Sequence, residues 1–207
     1  ITIRESIQRL KVAGLTSIPG GGAEILTERM RSDISPGKCT AKEWLEVMRT
    51  AHQEGLLTTA TMMIGAGETF EERIEHLDQL RQLQDETSGF VAFIPWNVQL
   101  QGTPMEKTIS EEVSPTTYLK LLAVSRLYLD NINNIQVSWL TQGLKVAEIA
   151  LHFGANDVGS IMIEENVIST AGANRTATRK DLIRVIERAG FVAAQRDTLY
   201  QTFRSIA

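Results

Sequence analysis

Two glycine-rich segments that each end in a glutamate are the part of this sequence best suited to hold a ligand. Residues 19–24 read Pro-Gly-Gly-Gly-Ala-Glu, and residues 65–68 read Gly-Ala-Gly-Glu. Glycine lets a ligand approach the main chain closely, and the carboxylates of Glu24 and Glu68 can accept hydrogen bonds from ligand hydroxyls. The same residues also fit two tight strand-to-helix turns with an acid near a helix N-terminus. At this point both interpretations stay open.

Amide side chains form a second group of candidates. Asn97 and Gln99 follow a predicted strand at residues 90–96, where amides can hydrogen-bond a ligand, although polar loop residues are also common there. Few other side chains suggest catalysis: His52 fits a surface or packing role, and His76 lies on the charged side of its helix and is predicted to be solvated. The residues therefore indicate binding, and we assign no catalytic residue and no metal ligand.

The second glycine segment is positioned by a predicted strand at residues 58–64. This run carries no charge, which is typical of a strand buried on both faces of a parallel sheet. Thr69 and Glu72 then form a capping box that begins a helix. Strand, turn and helix in this order place exposed backbone N–H groups and Glu68 at the carboxyl end of a strand, where α/β folds bind ligands.

Helical and extended patterns alternate along the rest of the chain. Helices are predicted at 3–12, 40–55, 70–83, 114–127, 144–153 and 178–189, and strands at 15–18, 58–64, 90–96, 135–140 and, with a weaker pattern, 158–163. The buried stripe of the helix after Ser114 is predicted to contain Leu119, Leu122, Ala123 and Leu127. This alternation predicts a parallel α/β fold in one unit. A closed (β/α)8 barrel needs about 250 residues, so the chain is an open sheet or the C-terminal part of a barrel.

Composition narrows the class of protein. Of the 207 residues, 43% are hydrophobic and 22% are charged, which is ordinary for a globular protein. The net charge is −4 without a basic run, so no nucleic-acid partner is predicted. No apolar run approaches the ~20 residues that span a membrane, and the single cysteine, Cys39, indicates a reducing, cytoplasmic compartment. The helical pattern is already present at Ile1, which predicts that the chain begins inside a larger protein.

Several stretches together resemble a known family. They are 17–26 (SIPGGGAEIL), 58–63 (TTATMM), 84–87 (QDET), 93–96 (FIPW), 138–143 (SWLTQG), 153–157 (FGAND) and 164–166 (EEN). In this order they resemble the radical S-adenosylmethionine (SAM) enzymes of the futalosine route to menaquinone, and among them the cyclic dehypoxanthinyl futalosine synthases. The resemblance implies about strands 4–8 of a radical SAM (β/α)8 TIM-type barrel in one domain over 1–207, with 164–207 as a C-terminal helical extension.

The resemblance also implies the cofactors and the reaction. This family holds a [4Fe–4S] cluster with the motif Cys-x-x-x-Cys-x-x-Cys, which this chain lacks, so the cluster ligands are expected outside the chain and the chain alone is expected to be inactive. In the family, reductive cleavage of SAM by an external electron donor yields a 5′-deoxyadenosyl radical. That radical is expected to take a hydrogen atom from the ribose of dehypoxanthine futalosine, which leads to ring closure.

Site residues follow from the same resemblance. The residues implied to contact the cofactor are Glu24, Gly65, Gly67 and Glu68. The residues implied to face the nucleoside substrate are Asn97, Gln99, Trp139, Thr141 and Asn156. Sister enzymes, aminofutalosine synthase and the deazaflavin (FO) synthase subunit, remain alternatives, as does a non-enzymatic α/β binding module. The site requires that Glu24 and Glu68 lie at the same end of the sheet.

Overall fold

A three-stranded parallel sheet lies at the centre of the computed structural model, which describes residues 1–109, 112–161 and 175–206. Its strands are β1 (Ser17–Ile18), β2 (Leu57–Ile64) and β3 (Phe90–Asn97), and their order in the sheet follows their order in the chain. β2 pairs with both neighbours in parallel. The predicted parallel α/β architecture is therefore confirmed.

Two single bridges continue the sheet beyond β3. Ile135 pairs in parallel with Phe93, and Gln136 pairs in parallel with Asp157. Five parallel segments thus lie side by side in chain order, with helices between them, which is the arrangement of part of a (β/α)8 barrel. This fits the C-terminal portion of a barrel that the resemblance implied.

The two last predicted strands are shorter than expected. The strand predicted at 135–140 pairs only at its first two residues, because the N–H of Ser138 donates to the Tyr118 hydroxyl (3.0 Å) instead of to a neighbouring strand. A helix then begins at Trp139. Of the strand predicted at 158–163, residues 158–161 are not extended in a ladder, and the remaining two lie outside the described residues.

Eight α-helices surround or follow the sheet within the described residues. They are α1 (Ile3–Val12), α2 (Glu28–Ile34), α3 (Ala41–Gln53), α4 (Phe70–Thr87), α5 (Pro115–Tyr128), α6 (Trp139–Gln142), α7 (Leu144–Ala150) and α8 (Arg179–Arg188). Capping boxes begin α1, α3, α4 and α8, as expected where Thr is followed three residues later by Glu or Asp. The short helix α2 was not predicted, and α7 ends three residues before its predicted end.

The core lies between the sheet and the helices. Met62 and Ile64 of β2 are fully buried in the same apolar cluster as Leu77 and Leu80 of α4. Thr59 and Thr61 alternate with them and are only half-buried. The prediction that β2 is buried on both faces therefore holds fully for the helix side, whereas on the other face, the inner face of the arc, Met63 is buried and the two threonines are more open.

Two side-chain predictions are wrong. His76 was expected to be solvated but is 0% exposed, because it lies on the α4 face that also carries Leu80 and Leu83. Leu127 was expected in the buried stripe of α5 but is 82% exposed. The buried face of α5 is set instead by Tyr118, whose hydroxyl donates to the carbonyl of Pro95 on β3 (3.0 Å).

The described C-terminal part contains one helix and one hairpin. After α8, strands β4 (Ala194–Arg196) and β5 (Phe203–Ser205) pair antiparallel. The extension predicted to be helical over 164–207 thus includes a β-hairpin, and its residues 164–174, with the family-like stretch 164–166, lie outside the described residues. No described helix has both the length and the hydropathy needed to cross a membrane.

Candidate functional site at the carboxyl edge of the sheet

The two glycine-rich segments lie side by side at one edge of the sheet. Each follows the carboxyl end of a parallel strand, β1 or β2, and these strands are neighbours. The N–H of Met63 donates to the carbonyl of Glu24 (2.9 Å), two residues before the turn at 65–68. Glu24 and Glu68 are therefore at the same end of the sheet, which the predicted site required.

The three consecutive glycines have different reasons to be glycine. A Cβ on Gly20 would lie 2.3 Å from the carbonyl oxygen of Thr59, so close packing on β2 excludes a side chain there. Gly22 has φ +79°, a conformation that favours glycine. Gly21 has neither constraint: a Cβ there would meet no atom within 4 Å. Packing on β2 explains Gly20, the positive φ explains Gly22, and the open space beside Gly21 leaves room for a ligand.

Glu24 has a strained backbone and a partly free carboxylate. Its φ of 47° is unusual for a residue with a side chain, and such strain is typical of functional sites. Its side chain is 12% exposed, and Oε1 accepts from Lys38 Nζ at 2.9 Å. Among the described residues no donor reaches Oε2. This oxygen can accept a hydrogen bond from a ligand.

A buried arginine fixes the loop that carries Glu24. Arg31 of α2 is 3% exposed, and its Nη1 donates to the carbonyls of Gly22 (2.9 Å) and Ala23 (2.8 Å). Its Nε donates to the carbonyl of Cys39 (2.6 Å). Charge-assisted bonds to carbonyls satisfy the buried guanidinium, and they tie the glycine loop to the segment around Cys39.

The Glu68 carboxylate holds its own turn. Its side chain is 0% exposed, and it accepts from the N–H groups of Gly65 (2.8 Å) and Ala66 (2.9 Å) and from Arg73 Nη2 (2.6 Å). The turn was expected to offer free N–H groups and a free carboxylate to a ligand, but the described contacts use the carboxylate and the N–H groups of Gly65 and Ala66. Sequence patterns could not distinguish this inward position of Glu68 from an outward one.

The two glycines of this turn also differ. Gly65 has φ +86°, and a Cβ there would lie 2.4 Å from Val113 Cγ2, so it is enclosed by protein. Gly67 has φ +92° and open space around its Cα. Of the predicted cofactor contacts in the turn, the structure leaves Gly67 accessible, whereas Gly65 and Glu68 shape the turn.

An ion pair links the two loops. Arg29 Nη2 donates to the carbonyl of Gly67 (3.1 Å), and Arg29 Nε donates to Glu72 Oε1 (2.8 Å). Glu72 Oε2 also accepts from the N–H of Thr69 (2.8 Å), which closes the capping box of α4. The hydrogen bond from Arg29 lowers the pKa of Glu72. The loop after β1 and the turn after β2 therefore form one connected unit.

Two large apolar side chains at this edge were not among the predicted site residues. Met63 pairs in register with Trp96, and Ile64 pairs with Asn97. Because side chains alternate along a strand, Met63 and Trp96 lie on the inner face, opposite the helix side on which Ile64 is buried. Trp96 is half-buried. The alternation of side chains along each strand could have identified both residues from the sequence, since Met63 directly precedes the buried Ile64.

Asn97 and Gln99 lie at the same edge, next to a third amide. Gln142 of α6 donates from Nε2 to Asn97 Oδ1, and Gln99 Nε2 donates to the carbonyl of Asn97 (3.0 Å). All three side chains are half-buried. By strand alternation Asn97 lies on the helix side of β3, at the carboxyl edge of the sheet. We refer to Asn97, Gln99 and Gln142 together as the amide rim. Gln142 was missed because nothing in its sequence context indicates this contact.

Trp139 and Thr141 are buried behind this rim. Trp139 Nε1 donates to the carbonyl of Ser160 (3.1 Å), and Thr141 Oγ1 donates to Ser138 Oγ (3.0 Å). Both residues follow the carboxyl end of the segment that pairs with β3, and that they face a substrate stays a prediction. Their hydrogen-bonding atoms contact protein, and they support the rim from behind.

The structure does not bring Asn156 to this edge. Asn156 Oδ1 accepts from the N–H of Ile135 (2.8 Å) and from Arg126 Nη2 (3.0 Å). Ile135 pairs with Phe93, four residues before Asn97, which is roughly 13 Å along a strand at ~3.3 Å per residue. The expectation that Asn156 faces the substrate is therefore corrected: it holds the start of the segment at Ile135.

The two central histidines are neutral packing residues. Burial lowers the pKa of His76 to about 3, and its Nδ1 accepts from the N–H of Leu26 (3.0 Å). Burial lowers the pKa of His52 to about 4, and its ring nitrogens contact the hydroxyls of Thr87 (2.6 Å) and Thr58 (2.8 Å). The packing role expected for His52 is confirmed, and neither residue is available as an acid or base at the sheet edge.

The chain offers no ligand set for an iron–sulfur cluster. Such clusters are held by several cysteine thiolates, whereas Cys39 is the only cysteine and is exposed. Within the described ranges, no three His, Cys, Asp or Glu side chains are grouped so that they could hold a metal ion. The residues at the sheet edge can bind a small polar ligand, but this chain alone does not fit the cluster.

Two family models match successive parts of the chain. Residues 1–80 match the Radical SAM superfamily, and residues 87–207 match the CofH/MqnC C-terminal region. The first match contains both glycine-rich segments, and the second contains the amide rim. Together they cover the elements that build the candidate site.

Characterised relatives resemble the chain over nearly its whole length. It is 46% identical over 201 residues to cyclic dehypoxanthine futalosine synthase of Streptomyces coelicolor, which is 97% of this chain and 50% of the relative. The protein of the same name from Halalkalibacterium halodurans is 46% identical over 205 residues, 99% of this chain and 55% of the relative. Aminodeoxyfutalosine synthase of Thermus thermophilus is 43% identical over 205 residues, which is 97% of this chain and 55% of the relative. The chain thus spans about half the length of these relatives.

Proposed function

Because this chain belongs to the CofH/MqnC family of the Radical SAM superfamily, we propose that it forms part of the catalytic barrel of a cyclic dehypoxanthine futalosine synthase in menaquinone biosynthesis. The reaction converts dehypoxanthine futalosine to cyclic dehypoxanthinyl futalosine. The identity of 46% to two proteins of that name supports this choice. Membership of the superfamily implies SAM and a [4Fe–4S] cluster as cofactors.

The observation that carries the proposal is the shared position of the two glycine-rich loops. The carbonyl of Glu24 and the N–H of Met63 join them at the carboxyl edge of β1 and β2. In barrel enzymes this edge holds the active site. Two loops that are fixed to each other, with open space at Gly21 and Gly67, form a rigid surface on which a nucleoside can lie.

We assign the open groups of this surface to SAM. Glu24 accepts from the ribose hydroxyls through Oε2, and Gly21 and Gly67 let the main chain approach the adenosyl group. Trp96, which is half-buried, supplies apolar surface for the adenine ring, and Met63, which is 6% exposed, lies beside it in register. Bound SAM supplies the radical chemistry that removes a hydrogen atom from the substrate. Glu68 contributes by holding the turn in shape through its bonds to Gly65 and Arg73.

The amide rim is assigned to the substrate. Asn97, Gln99 and Gln142 present donors and acceptors at the end of β3, which suits a polar nucleoside. Trp139 and Thr141 pack behind them and exclude water from that side. Among the described residues of this edge, none is a nucleophile paired with a base, and their role is to bind, orient and shield, as in other enzymes whose chemistry is supplied by a cofactor.

The cluster must be held by cysteines other than Cys39. The test therefore uses the protein translated from the complete reading frame, which is first inspected for the motif Cys-x-x-x-Cys-x-x-Cys. After anaerobic reconstitution with iron and sulfide, the protein is incubated with SAM, a reductant and dehypoxanthine futalosine. We expect 5′-deoxyadenosine, methionine and the cyclic product, measured by liquid chromatography and mass spectrometry.

Two variants connect this assay to the structure. Glu24→Gln is expected to weaken SAM binding, whereas Glu28→Gln, on the exposed first turn of α2, is expected to leave it unchanged. A protein that lacks the cysteine motif, or that neither binds nor cleaves SAM after reconstitution, would contradict the proposal. A non-enzymatic binding module would then be the better interpretation.

The second candidate is aminodeoxyfutalosine synthase activity, favoured by the 43% identity to the Thermus thermophilus protein of that name. Proteins named 5-amino-6-(D-ribitylamino)uracil–L-tyrosine 4-hydroxyphenyl transferase are also similar, for example 40% identical in Methanothermobacter thermautotrophicus. The sheet-edge geometry of this chain does not distinguish these activities. Formation of product from each substrate in turn, with the same reconstituted protein, distinguishes them.

A further inference from the structure

Lys38 contacts Glu24, an acidic side chain of the site with one oxygen that no donor among the described residues reaches. Its Nζ lies 2.9 Å from Glu24 Oε1. The Glu24 side chain is 12% exposed, whereas that of Lys38 is 52% exposed. The pair therefore has a sheltered carboxylate on the side of the site and an ammonium group that reaches it from the solvent side.

The backbone around Lys38 is held on both sides. The N–H of Lys38 donates to the carbonyl of Ser35 (2.9 Å), just after α2. The carbonyl of Cys39 accepts from Arg31 Nε, and the same guanidinium binds the carbonyls of Gly22 and Ala23. Arg31 thus fixes the residues next to Lys38 and next to Glu24 at once. The proximity of the two side chains is built into the fold.

The Glu24 carboxylate is carried by a residue with an unusual backbone. With φ at 47°, Glu24, in the loop after β1, adopts a conformation that few residues with side chains adopt. A free carboxylate there could rotate among several positions. Holding one oxygen in place removes that freedom before a ligand arrives, which improves affinity by reducing the ordering cost of binding.

We propose that Lys38 is a positioning residue for ligand binding: it holds Glu24 Oε1, so that Oε2 is directed at the hydroxyl groups of a bound nucleoside. This inference rests on the proposed function, in which the nucleoside is the adenosyl group of SAM. Lys38 does not touch the ligand in this arrangement. Its effect passes through Glu24, which separates it from an ordinary surface ion pair.

The test measures binding of S-adenosylhomocysteine, a stable analogue, to the reconstituted complete protein by isothermal titration calorimetry. Glu24→Gln is expected to lower affinity about tenfold, because a charge-assisted hydrogen bond is lost. Lys38→Met is expected to lower it about two- to fivefold, as a half-exposed pair allows, and Lys38→Arg to restore most of it. Lys42→Met, at an exposed lysine in the first turn of α3, is the control and should bind as the unmodified protein does.

Two further measurements separate positioning from a merely structural role. In a Glu24→Gln background, Lys38→Met should cause no further loss of affinity, because its partner charge is gone. The loss caused by Lys38→Met in the unmodified background should shrink as salt is raised, since salt screens an exposed pair. Thermal unfolding of each variant shows whether it is folded, and Lys38→Arg provides a folded reference that keeps the charge.

Each of the other outcomes contradicts the role of Lys38, the role of Glu24 or the proposed function. If Lys38→Met has no effect while Glu24→Gln weakens binding, or if its effect is the same in both backgrounds, the positioning role is overturned and the proposed function stands. If Glu24→Gln leaves affinity unchanged, both the role of Glu24 and that of Lys38 are overturned. If the unmodified protein does not bind the analogue, the proposed function fails together with this inference.

Discussion

Glu68 shows that an acidic residue at a strand end can serve the loop instead of the ligand. The sequence pattern placed Glu24 and Glu68 in equivalent positions, each after a glycine-rich segment. In the structure Glu24 keeps an oxygen free of described protein donors, whereas Glu68 is buried among Gly65, Ala66 and Arg73. The difference depends on Arg73, five residues further on in α4, and no local rule of sequence indicates which acid will be captured.

Glu68→Ala is expected to destabilise the fold by about 3 kcal/mol, because it leaves Arg73 without its partner and two N–H groups without an acceptor. Urea unfolding followed by circular dichroism measures the change. Glu71→Ala, at an exposed position in the same first turn of α4, should change stability by less than about 0.5 kcal/mol. If Glu68→Ala lost SAM binding but kept full stability, Glu68 would contact the ligand, as the sequence alone implied.

His76 predicts a pH dependence of stability. Burial lowers its pKa from 6.5 to about 3 in the folded state, so the unfolded chain binds more protons between these values. The free energy of unfolding must therefore fall as the pH is lowered below about 6.5. The contribution of His76 between pH 7 and pH 5 is about 2 kcal/mol, and His52, with a pKa of about 4, acts in the same direction.

His76→Gln keeps an acceptor for the N–H of Leu26 but cannot be protonated in this range. Its free energy of unfolding, measured with urea at pH 5 and pH 7, should differ by about 2 kcal/mol less between the two pH values than that of the unmodified protein. His152→Gln serves as the control because His152 is exposed. An unchanged pH dependence in His76→Gln would show that His76 is not held neutral in the folded protein.

At the scale of elements, strong local signals were sufficient to predict where helices begin. The effects of tertiary contacts were not predicted. α3, α4 and α8 each begin with a capping box, and their starts were predicted correctly. α1 also begins with a capping box, at Ile3, although a helical pattern was expected already at Ile1. α2 was missed because its seven residues carry little apolar periodicity; it is stabilised by the bonds from the buried Arg31 to the two neighbouring loops. The strand predicted at 135–140 was cut short by Tyr118, a residue of another helix.

The glycine loop after β1 gives a matched pair of variants at this scale. Gly20→Ala places a Cβ 2.3 Å from the Thr59 carbonyl oxygen, so the loop must move away from β2, with an expected loss of roughly 1–3 kcal/mol. Gly21→Ala meets no protein atom within 4 Å and should change stability by less than about 0.5 kcal/mol. Gly21→Ala is nevertheless expected to weaken SAM binding, because its methyl group projects into the space assigned to the ligand.

Urea unfolding and SAM binding on both variants decide between the two interpretations of the glycine run. Loss of stability in Gly20→Ala with loss of binding in Gly21→Ala supports a loop that is partly structural and partly a ligand surface. If Gly21→Ala binds SAM as well as the unmodified protein, the run serves only the turn. The structure could pose this question because it separates three glycines that the sequence presents as equivalent.

At the scale of the whole molecule, the arc of parallel strands in chain order explains why several predicted site residues lie at one edge. The carboxyl ends of β1, β2 and β3 meet at this edge, so the loops that carry Glu24 and Gly67 lie there beside Asn97, the last residue of β3. Asn156 does not lie at this edge, because its segment pairs at the level of Ile135 and not at the strand end. The register between strands decides the position of Asn156. Local sequence does not specify the register for such short segments.

Cys39, the single cysteine of this chain, is not expected to hold the cluster in the complete protein. Cys39 follows α2 on the outside of the glycine loop, and its carbonyl, not its thiol, makes the strong contact with Arg31. In the complete protein, Cys39→Ser should therefore leave the iron and sulfide content after anaerobic reconstitution unchanged, and SAM cleavage as well. Replacement of one cysteine of a Cys-x-x-x-Cys-x-x-Cys motif by serine should abolish both, because clusters are held by thiolates. Loss of iron in Cys39→Ser would mean that Cys39 is a cluster ligand, and that the cluster is bound differently from the family's arrangement.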